Sequence, residues 1–525
     1  MTDPLKTIST RQTPQDQPIP GTVPNSAGGY SFAVDKWGRL NRFLILGTQG
    51  GSYYASEKKL TKENADVVFA CIAADGPATV DIIVDISVNG RNPKQGPVLF
   101  ALAACSGAAD QATRSAALAA IPKVCRTGTM LFQFVGYAEQ FRGWGRGMRE
   151  AVAKWYTERS VSSLAMQVAK YQQREGWGHR DLLRLSKPRP ARGEGHDQVL
   201  KWAVGKDPEP TFPFLAAVED IKTAPLNHAV TLVTQHKLPW EVVPDHLMNE
   251  PKMLAALVEP MGITALVRQL SRLTATGTIK SLGGQINLDK VIDKLTDEQL
   301  VKDSRIHPLT VLVALKAYEK GKGRHLDWSP IPRVVDALND TFKLAFGNVV
   351  PSNKRTLIAL DTSASMTWST LAGTELTPSV GSIAMALVTA VTEPEYHIMA
   401  FSHQLVNIPG ITAKSSLQAA MAATAKVGGG GTDCSLPMTT ALKAGWDVEH
   451  FVVYTDNETW AGRQHPVQAL KAYRDKQGIP ARLTVVGMVS NGFSIADPND
   501  AGMLDVVGFD TAAPQLIADF GGGRI

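Results

Sequence analysis

Cysteine is scarce in this 525-residue chain: Cys71, Cys105, Cys125 and Cys434 are scattered, with no C-x-x-C spacing. That excludes a zinc finger and a disulfide framework, and leaves four small core thiols in a reducing compartment. The eleven histidines show no ligand spacing either. No stretch reads as the ~20 consecutive apolar residues of a membrane span. The opening MTDPLKTIST has no apolar signal core, so a cytoplasmic address and no membrane partner are expected. P-loop, G-x-S-x-G and H-E-x-x-H patterns are all missing; without them, or an evident general base, no enzyme is expected. Charge of one sign is not in large excess. The net +5 is modest for this length, so any affinity for nucleic acid has to come from local clustering.

The chain itself reads as a multidomain α and α/β protein. Residues 1–29 carry Pro4, Pro14, Pro18, Pro20 and Pro24 without apolar periodicity, which predicts an extended arm ordered by docking on the body. Residues 30–350 read as successive helices, for example over 62–74, 96–109, 113–123, 127–140 and 147–158. Each is too short to bury its apolar face alone, so side-by-side stacking as in HEAT-type α-solenoids is expected, although no sequence period marks repeats. After a linker at 348–353 the rhythm changes. Strands over 355–361, 396–402, 450–456 and 482–488 alternate with helices over 379–392, 415–425, 436–445 and 466–476. That order predicts a doubly wound parallel sheet across residues 351–525.

The first of these strands runs into D-x-S-x-S. Asp361, Ser363 and Ser365 place three small oxygen side chains in one turn, a donor set for a hard cation rather than a soft metal. A glycine-rich loop, GGGGTDCS at 428–435, delivers Thr432, and the strand FVVYTD ends at Asp456. Loops following adjacent strands of an open α/β sheet meet beyond their carboxyl ends. The order and spacing resemble the metal-ion-dependent adhesion site of von Willebrand factor A domains. Ser363, Ser365 and Thr432 would set neutral oxygens ~2.1 Å from Mg²⁺ while Asp361 and Asp456 balance its charge, leaving room for a partner's carboxylate. Asp433 and Glu458 are alternative nearby acids, although Asp433 would equally cap the next helix.

Between Lys123 and Arg192 stand fourteen Lys or Arg against five acids, a window of +9 in a chain of +5. Such concentration suits phosphate binding by counterion release. Lys170 and Arg174 are read as sharing one helical face; Arg180, Arg184 and Lys187 follow i, i+4, i+7 on the next helix, with Leu182 and Leu185 turned inward. Arg142 and Arg146 lie in the glycine-punctuated FRGWGRG, a candidate for an adaptable contact. His179 would either bond RNA or cap a helix. Among the interleaved aromatics, Trp155 and Trp177 are expected in the core.

Residues 25–60 (NSAGGYSFAVDKWGRLNRF and onward), REGWGHRDLLRLS at 174–186, GGTDCSLPM at 430–438, TDNETW, and NGFSIADPNDAGMLDVVGFDT at 491–511 resemble the Ro autoantigen family, bacterial members included. Its members carry a TROVE domain. The resemblance implies a ring of HEAT-like helices closed by a Rossmann-like von Willebrand A domain, with Y RNA on the outer surface. It also implies single-stranded 3′ ends of misfolded or decaying RNA in a basic central hole, an exoribonuclease such as polynucleotide phosphorylase as a further partner, and a monomer. Family members commonly carry His where this chain has Lys187. The alternative is a metal-dependent, protein-binding adhesion-type module with no RNA role.

Overall fold

The computed structural model describes residues 12–48, 57–174, 176–189, 193–323, 326–347, 349–372, 374–408, 411–427 and 429–525. Residues 1–11 of the expected arm, Glu175 and Arg192 of the basic window, and Gly428 lie outside them. Two compact units are distinguished. One comprises residues 1–70, 91–94 and 346–525; the other comprises 71–90 and 95–345. Residues 30–70, which the sequence groups with the helices, therefore cluster with the α/β unit.

In chain order the strands are β1 (Thr22–Pro24), β2 (Tyr30–Ala33), the short β3 (Gln173–Arg174) and β4 (Trp177–Gly178), then β5 (Thr356–Asp361), β6 (Tyr396–Phe401), β7 (Leu405–Asn407), β8 (His450–Thr455), β9 (Arg482–Gly487), β10 (Phe493–Ser494) and β11 (Met503–Val507). The α/β unit is built on a six-stranded sheet of order β11-β9-β8-β5-β6-β7. All neighbours are parallel except β6 and β7, so the sheet is mixed rather than wholly parallel, with an antiparallel edge strand the sequence reading missed. β5 and β8 are buried at every position, as continuous apolar runs demand when helices cover both faces. Because side chains alternate along a strand, Leu357 and Ala359 pack with Met438, Leu470 and Tyr473 from the helices Leu436–Ala444 and Pro466–Gln477. On the opposite face, Tyr454 Oη meets Thr389 Oγ1 of the helix Pro378–Thr392 at 3.0 Å.

The N-terminal segment is part of this unit. β1, β2 and β10 form a separate antiparallel sheet, and the helix Lys36–Leu46 buries Arg42 completely. Arg42 grips both carboxylate oxygens of Asp505 on β11, at 2.6 and 2.7 Å. It also donates to the carbonyls of Asn491 (3.1 Å) and Phe493 (2.7 Å).

In the helical unit short helices stack on near neighbours: Gly96–Ser106 on Gln111–Val124 and Gly128–Ala138, Arg146–Thr157 on His179–Ser186, and Pro308–Glu319 on Pro332–Leu344. Asp110, Thr127 and Ser160 cap helix N-termini with side-chain oxygens, which satisfies amides left unpaired in the first turn. Glu57–Val88 corrects one expectation. Within it Thr61–Val88 is long and apolar enough, at mean hydropathy 1.8, to cross a membrane by length and composition. Yet it is broken at Asp75 (φ −158°, ψ 92°), just before Pro77. Val68, Cys71, Val80, Ile83 and Ile86 on it are buried, whereas Phe69 is exposed, and 39% of the apolar window is buried.

Candidate functional site

The carboxyl ends of β8, β5 and β6, three neighbours at the centre of the sheet, bring together the residues singled out by D-x-S-x-S. Asp361, Ser363, Ser365, Thr432 and Asp456 are all buried. The amide of Ser363 donates to Asp361 Oδ1 (2.8 Å), and the two serine hydroxyls lie 3.1 Å apart. Ser365 donates its hydroxyl to Asp456. Thr455, which the sequence reading missed, donates to Asp361 Oδ2 at 2.6 Å.

The loop bearing Thr432 is sewn between strand ends. Its carbonyl accepts from the amides of Trp460 (3.1 Å) and Ala461 (3.0 Å), and the Asp433 amide donates to the Ser402 carbonyl (2.9 Å) at the end of β6. Asp433 does not serve as the simple N-cap of the following helix, whose N-cap is Ser435; its Oδ1 accepts from the Ser435 amide and hydroxyl and from Gln15.

Burial, with Asp456 beside it, lifts the Asp361 carboxyl from its ordinary 3.8 to about 7. Burial raises Asp456 as well, and burial plus Asp456 pushes Glu458 to about 7. None of these three carboxyls counts a lysine or arginine among the groups that shift it. Two buried acids with flanking hydroxyls and no countercharge fit a hard divalent cation, whose charge removes the penalty of ionising them. Among the described residues no three His, Cys, Asp or Glu converge as ligands, so the hydroxyls are essential to this donor set.

Gln15 is the other residue sequence reasoning missed. Fully buried, it donates through Nε2 to Asp433 Oδ1 (2.8 Å) and the Gln464 carbonyl (2.9 Å), and through Oε1 accepts from Thr459 Oγ1 and the Gly462 amide (3.1 Å). The amides of Ser26 and Ala27 cap Glu458 Oε2. The N-terminal segment thus clasps both loops that flank the acids. No local signal in the sequence connects positions more than 400 residues apart.

The basic residues divide by their partners. Arg142 donates to the Ser106 carbonyl (2.8 Å), Arg146 pairs with Glu150 (2.7 Å), and Lys170 pairs with Glu241 (3.2 Å). Lys170 ends the helix Val161–Lys170, whereas Arg174 stands on β3, so the two do not share a helical face. Gly176, at φ +77°, turns the chain there, a conformation that opposes helix.

His179 is buried, with Nδ1 at 2.9 Å from Tyr156 Oη. Burial drops its pKa to about 4, and Gly178 is the helix N-cap; the imidazole therefore neither reaches solvent nor caps the helix. Arg174, Arg180, Arg184 and Lys187 are exposed. The side chains of Arg180, Arg184 and Lys187 have no hydrogen bond or ion pair among the described residues. Arg180 and Arg184 lie on the outer face of His179–Ser186, while Leu182, Leu183 and Ser186 are buried on the inner one; Lys187, left-handed at φ +46°, ends the helix rather than extending that face as the i, i+4, i+7 spacing predicts. Leu183, rather than the expected Leu185, is the second buried leucine. Trp155 is core, as expected, whereas Trp177 is half-buried with its ring 6.1 Å from that of Trp144.

Comparison with known proteins fits this two-part layout. A family model described as the Ro60 vWA domain matches residues 355–521, and the TROVE domain model matches 23–206 and 234–325. The chain belongs to the Ro60 family. Among its relatives, "RNA-binding protein RO60" of Deinococcus radiodurans is 40% identical over 99% of both chains. The protein of that name from Caenorhabditis elegans is 33% identical over 96% of this chain and 91% of its own. The crystal structure of the Deinococcus radiodurans RO (RSR) protein superposes with a TM-score of 0.70 at 41% identity, covering 94% of this chain and all of that one. Within the Ro60 family frame the cation-type residues fall in the vWA match and the exposed basic face falls in the TROVE match.

Proposed function

We propose that this Ro60 family chain is a non-enzymatic RNA-binding protein, and that its helical unit binds structured non-coding RNA through the exposed face carrying Arg174, Arg180, Arg184 and Lys187. The observation that carries this reading is that Arg180, Arg184 and Lys187, exposed on and at the end of the helix His179–Ser186, have no ion pair among the described residues. The names of the two relatives support it. In its finer form the proposal is Y RNA on an outer surface and single-stranded 3′ ends in a central hole of a ring closed by the vWA domain, serving RNA quality control with an exoribonuclease partner. Low-resolution imaging of the hole tests the ring. The four cysteines, all buried and none in a disulfide among the described residues, support a reducing, cytoplasmic address.

The direct test is titration of a hairpin RNA with a single-stranded 3′ tail across rising salt. Affinity is expected to fall steeply, because each phosphate contact releases counterions. Salt-insensitive or absent binding would favour the adhesion-type alternative.

We further propose that Asp361, Ser363, Ser365, Thr432 and Asp456 hold Mg²⁺ as a docking site separate from the RNA face. Asp361→Ala should abolish Mg²⁺-dependent thermal stabilisation and leave RNA affinity within about twofold. The raised Asp361 pKa fixes a pH dependence. Between its unfolded value and about 7 the folded state retains a proton that the unfolded chain releases, so the empty site loses stability as pH rises through that window. A cation displaces this proton. Mg²⁺ affinity, read by calorimetry, should therefore increase from pH 6 to pH 8.

Gln15→Ala removes the side chain that ties the Asp433 and Thr459 loops together. It should cost roughly 1–3 kcal/mol of stability, since buried partners are left unmet. Mg²⁺ affinity should fall severalfold; an unchanged melt and affinity would show the clasp to be dispensable.

A further inference from the structure

Beside the basic face the helical unit contains a cavity of about 560 Å³, within the range of roughly 300–1,000 Å³ that small ligands occupy. Arg180, already on the exposed face, lines it together with Gln172, Gln173 and Asp207. The side chains of these four have no hydrogen bond or ion pair among the described residues, and Asp207 is half-buried. Trp202 completes the wall, its Nε1 fixed on Glu219 Oε1 at 2.8 Å. Glu219 is further occupied by Lys222 at 2.5 Å and Asp181, also in the lining, accepts from the Gly178 amide at 3.0 Å, which leaves Asp207 as the carboxylate in the lining with no hydrogen bond or ion pair among the described residues.

A carboxylate is out of place on a surface that gathers phosphates, because it repels them. It belongs there if what enters is the edge of a base rather than the backbone. Of the four RNA bases only guanine presents two adjacent N–H donors, N1–H and N2–H₂, on its Watson–Crick edge, the match for the two oxygens of one carboxylate. A guanidinium complements the same base at O6 and N7, and RNA readers hold unpaired bases by such edges together with aromatic walls.

We propose that this cavity receives one unpaired guanine of the bound RNA, with Asp207 accepting from N1–H and N2–H₂, Arg180 donating to O6 or N7, and Trp202 supplying aromatic surface. This rests on the RNA-binding reading above and adds base selectivity to it. The cavity therefore makes binding depend on sequence at one unpaired position, while the exposed arginines and lysine act on any phosphate.

The test uses the full chain and a tailed hairpin RNA in two versions, one with guanosine and one with inosine at every unpaired guanosine position; inosine lacks the N2 amine. Affinity for the inosine RNA should be at least tenfold lower, with the same salt slope. Asp207→Asn should lower affinity for the guanosine RNA to the inosine level and cause little further loss with inosine. Equal binding of the two RNAs by the unaltered chain, or an equal loss on both in Asp207→Asn, overturns the guanine site while leaving RNA binding intact. Failure of the unaltered chain to bind either RNA removes the RNA reading itself. Should Asp207→Asn not fold, the comparison of guanosine and inosine in the unaltered chain still decides.

Discussion

Arg42→Ala is expected to lower the stability of the α/β unit by about 3–5 kcal/mol, the scale on which losing one partner of a buried ion pair acts. The guanidinium is fully buried and is held by both oxygens of Asp505, the Asn491 side chain and two carbonyls. Removing it leaves the partly buried Asp505 carboxylate with Ser494 Oγ at 2.6 Å as its one side-chain partner among the described residues, and takes a donor from two carbonyls. At roughly 2–4 °C per kcal/mol for a unit of this size, the melting temperature should fall by about 10 °C. The double variant Arg42→Met, Asp505→Leu should recover much of the loss, because an apolar pair of similar volume avoids the uncompensated charge. A single variant that melts with the unaltered protein would show that the helix Lys36–Leu46 is not fastened through this residue.

The second large effect is on binding. Changing Arg174, Arg180, Arg184 and Lys187 together to Ala removes four exposed cations, so the slope of log affinity against log salt should become shallower by about 3 and affinity near physiological salt should drop roughly a hundredfold. Arg146→Ala is the control. Its guanidinium is paired with Glu150 on the same helix, and losing an exposed pair of that kind matters little. The set differs from the one charge counting selects, since Lys170 is engaged by Glu241. If the control weakened binding as much as the quadruple variant, the RNA face would have to be sought around 141–150 instead.

What the sequence made legible follows from range. β5, β6, β8 and β9 are continuous apolar runs whose character survives any context, and D-x-S-x-S sits at the end of one of them, so both strands and acids were readable from neighbours a few positions apart. β11 escaped notice because its MLDVV is short and interrupted by Asp505, a charge whose presence makes sense only once Arg42 is beside it. β7, three residues at the sheet edge, is too short to carry a pattern. The helix drawn through Lys170 and Arg174 ends at Lys170, where Tyr171 leaves helical geometry (φ −121°, ψ 64°) and the chain enters the β3–β4 pair. His179 illustrates the opposite limit: its place in a basic segment suggested a surface role, yet Phe132, Trp155 and Tyr156 surround the ring. Gln15 and Thr455 became visible only when distant loops were in place.

The clasp formed by residues 12–46 also bears on synthesis. Gln15 needs the 459–464 loop, β2 needs β10, and Arg42 needs Asp505, so during synthesis residues 12–46 find these partners only after more than 400 further residues have been added. Contacts at such separation form late and slowly, and until then an amphipathic helix and an unpaired strand edge stay uncovered, the kind of surface that nascent chains lose to aggregation. Translation halted before β11 should thus yield a species whose early residues are cut readily by protease, with protection appearing only as the last strand is released.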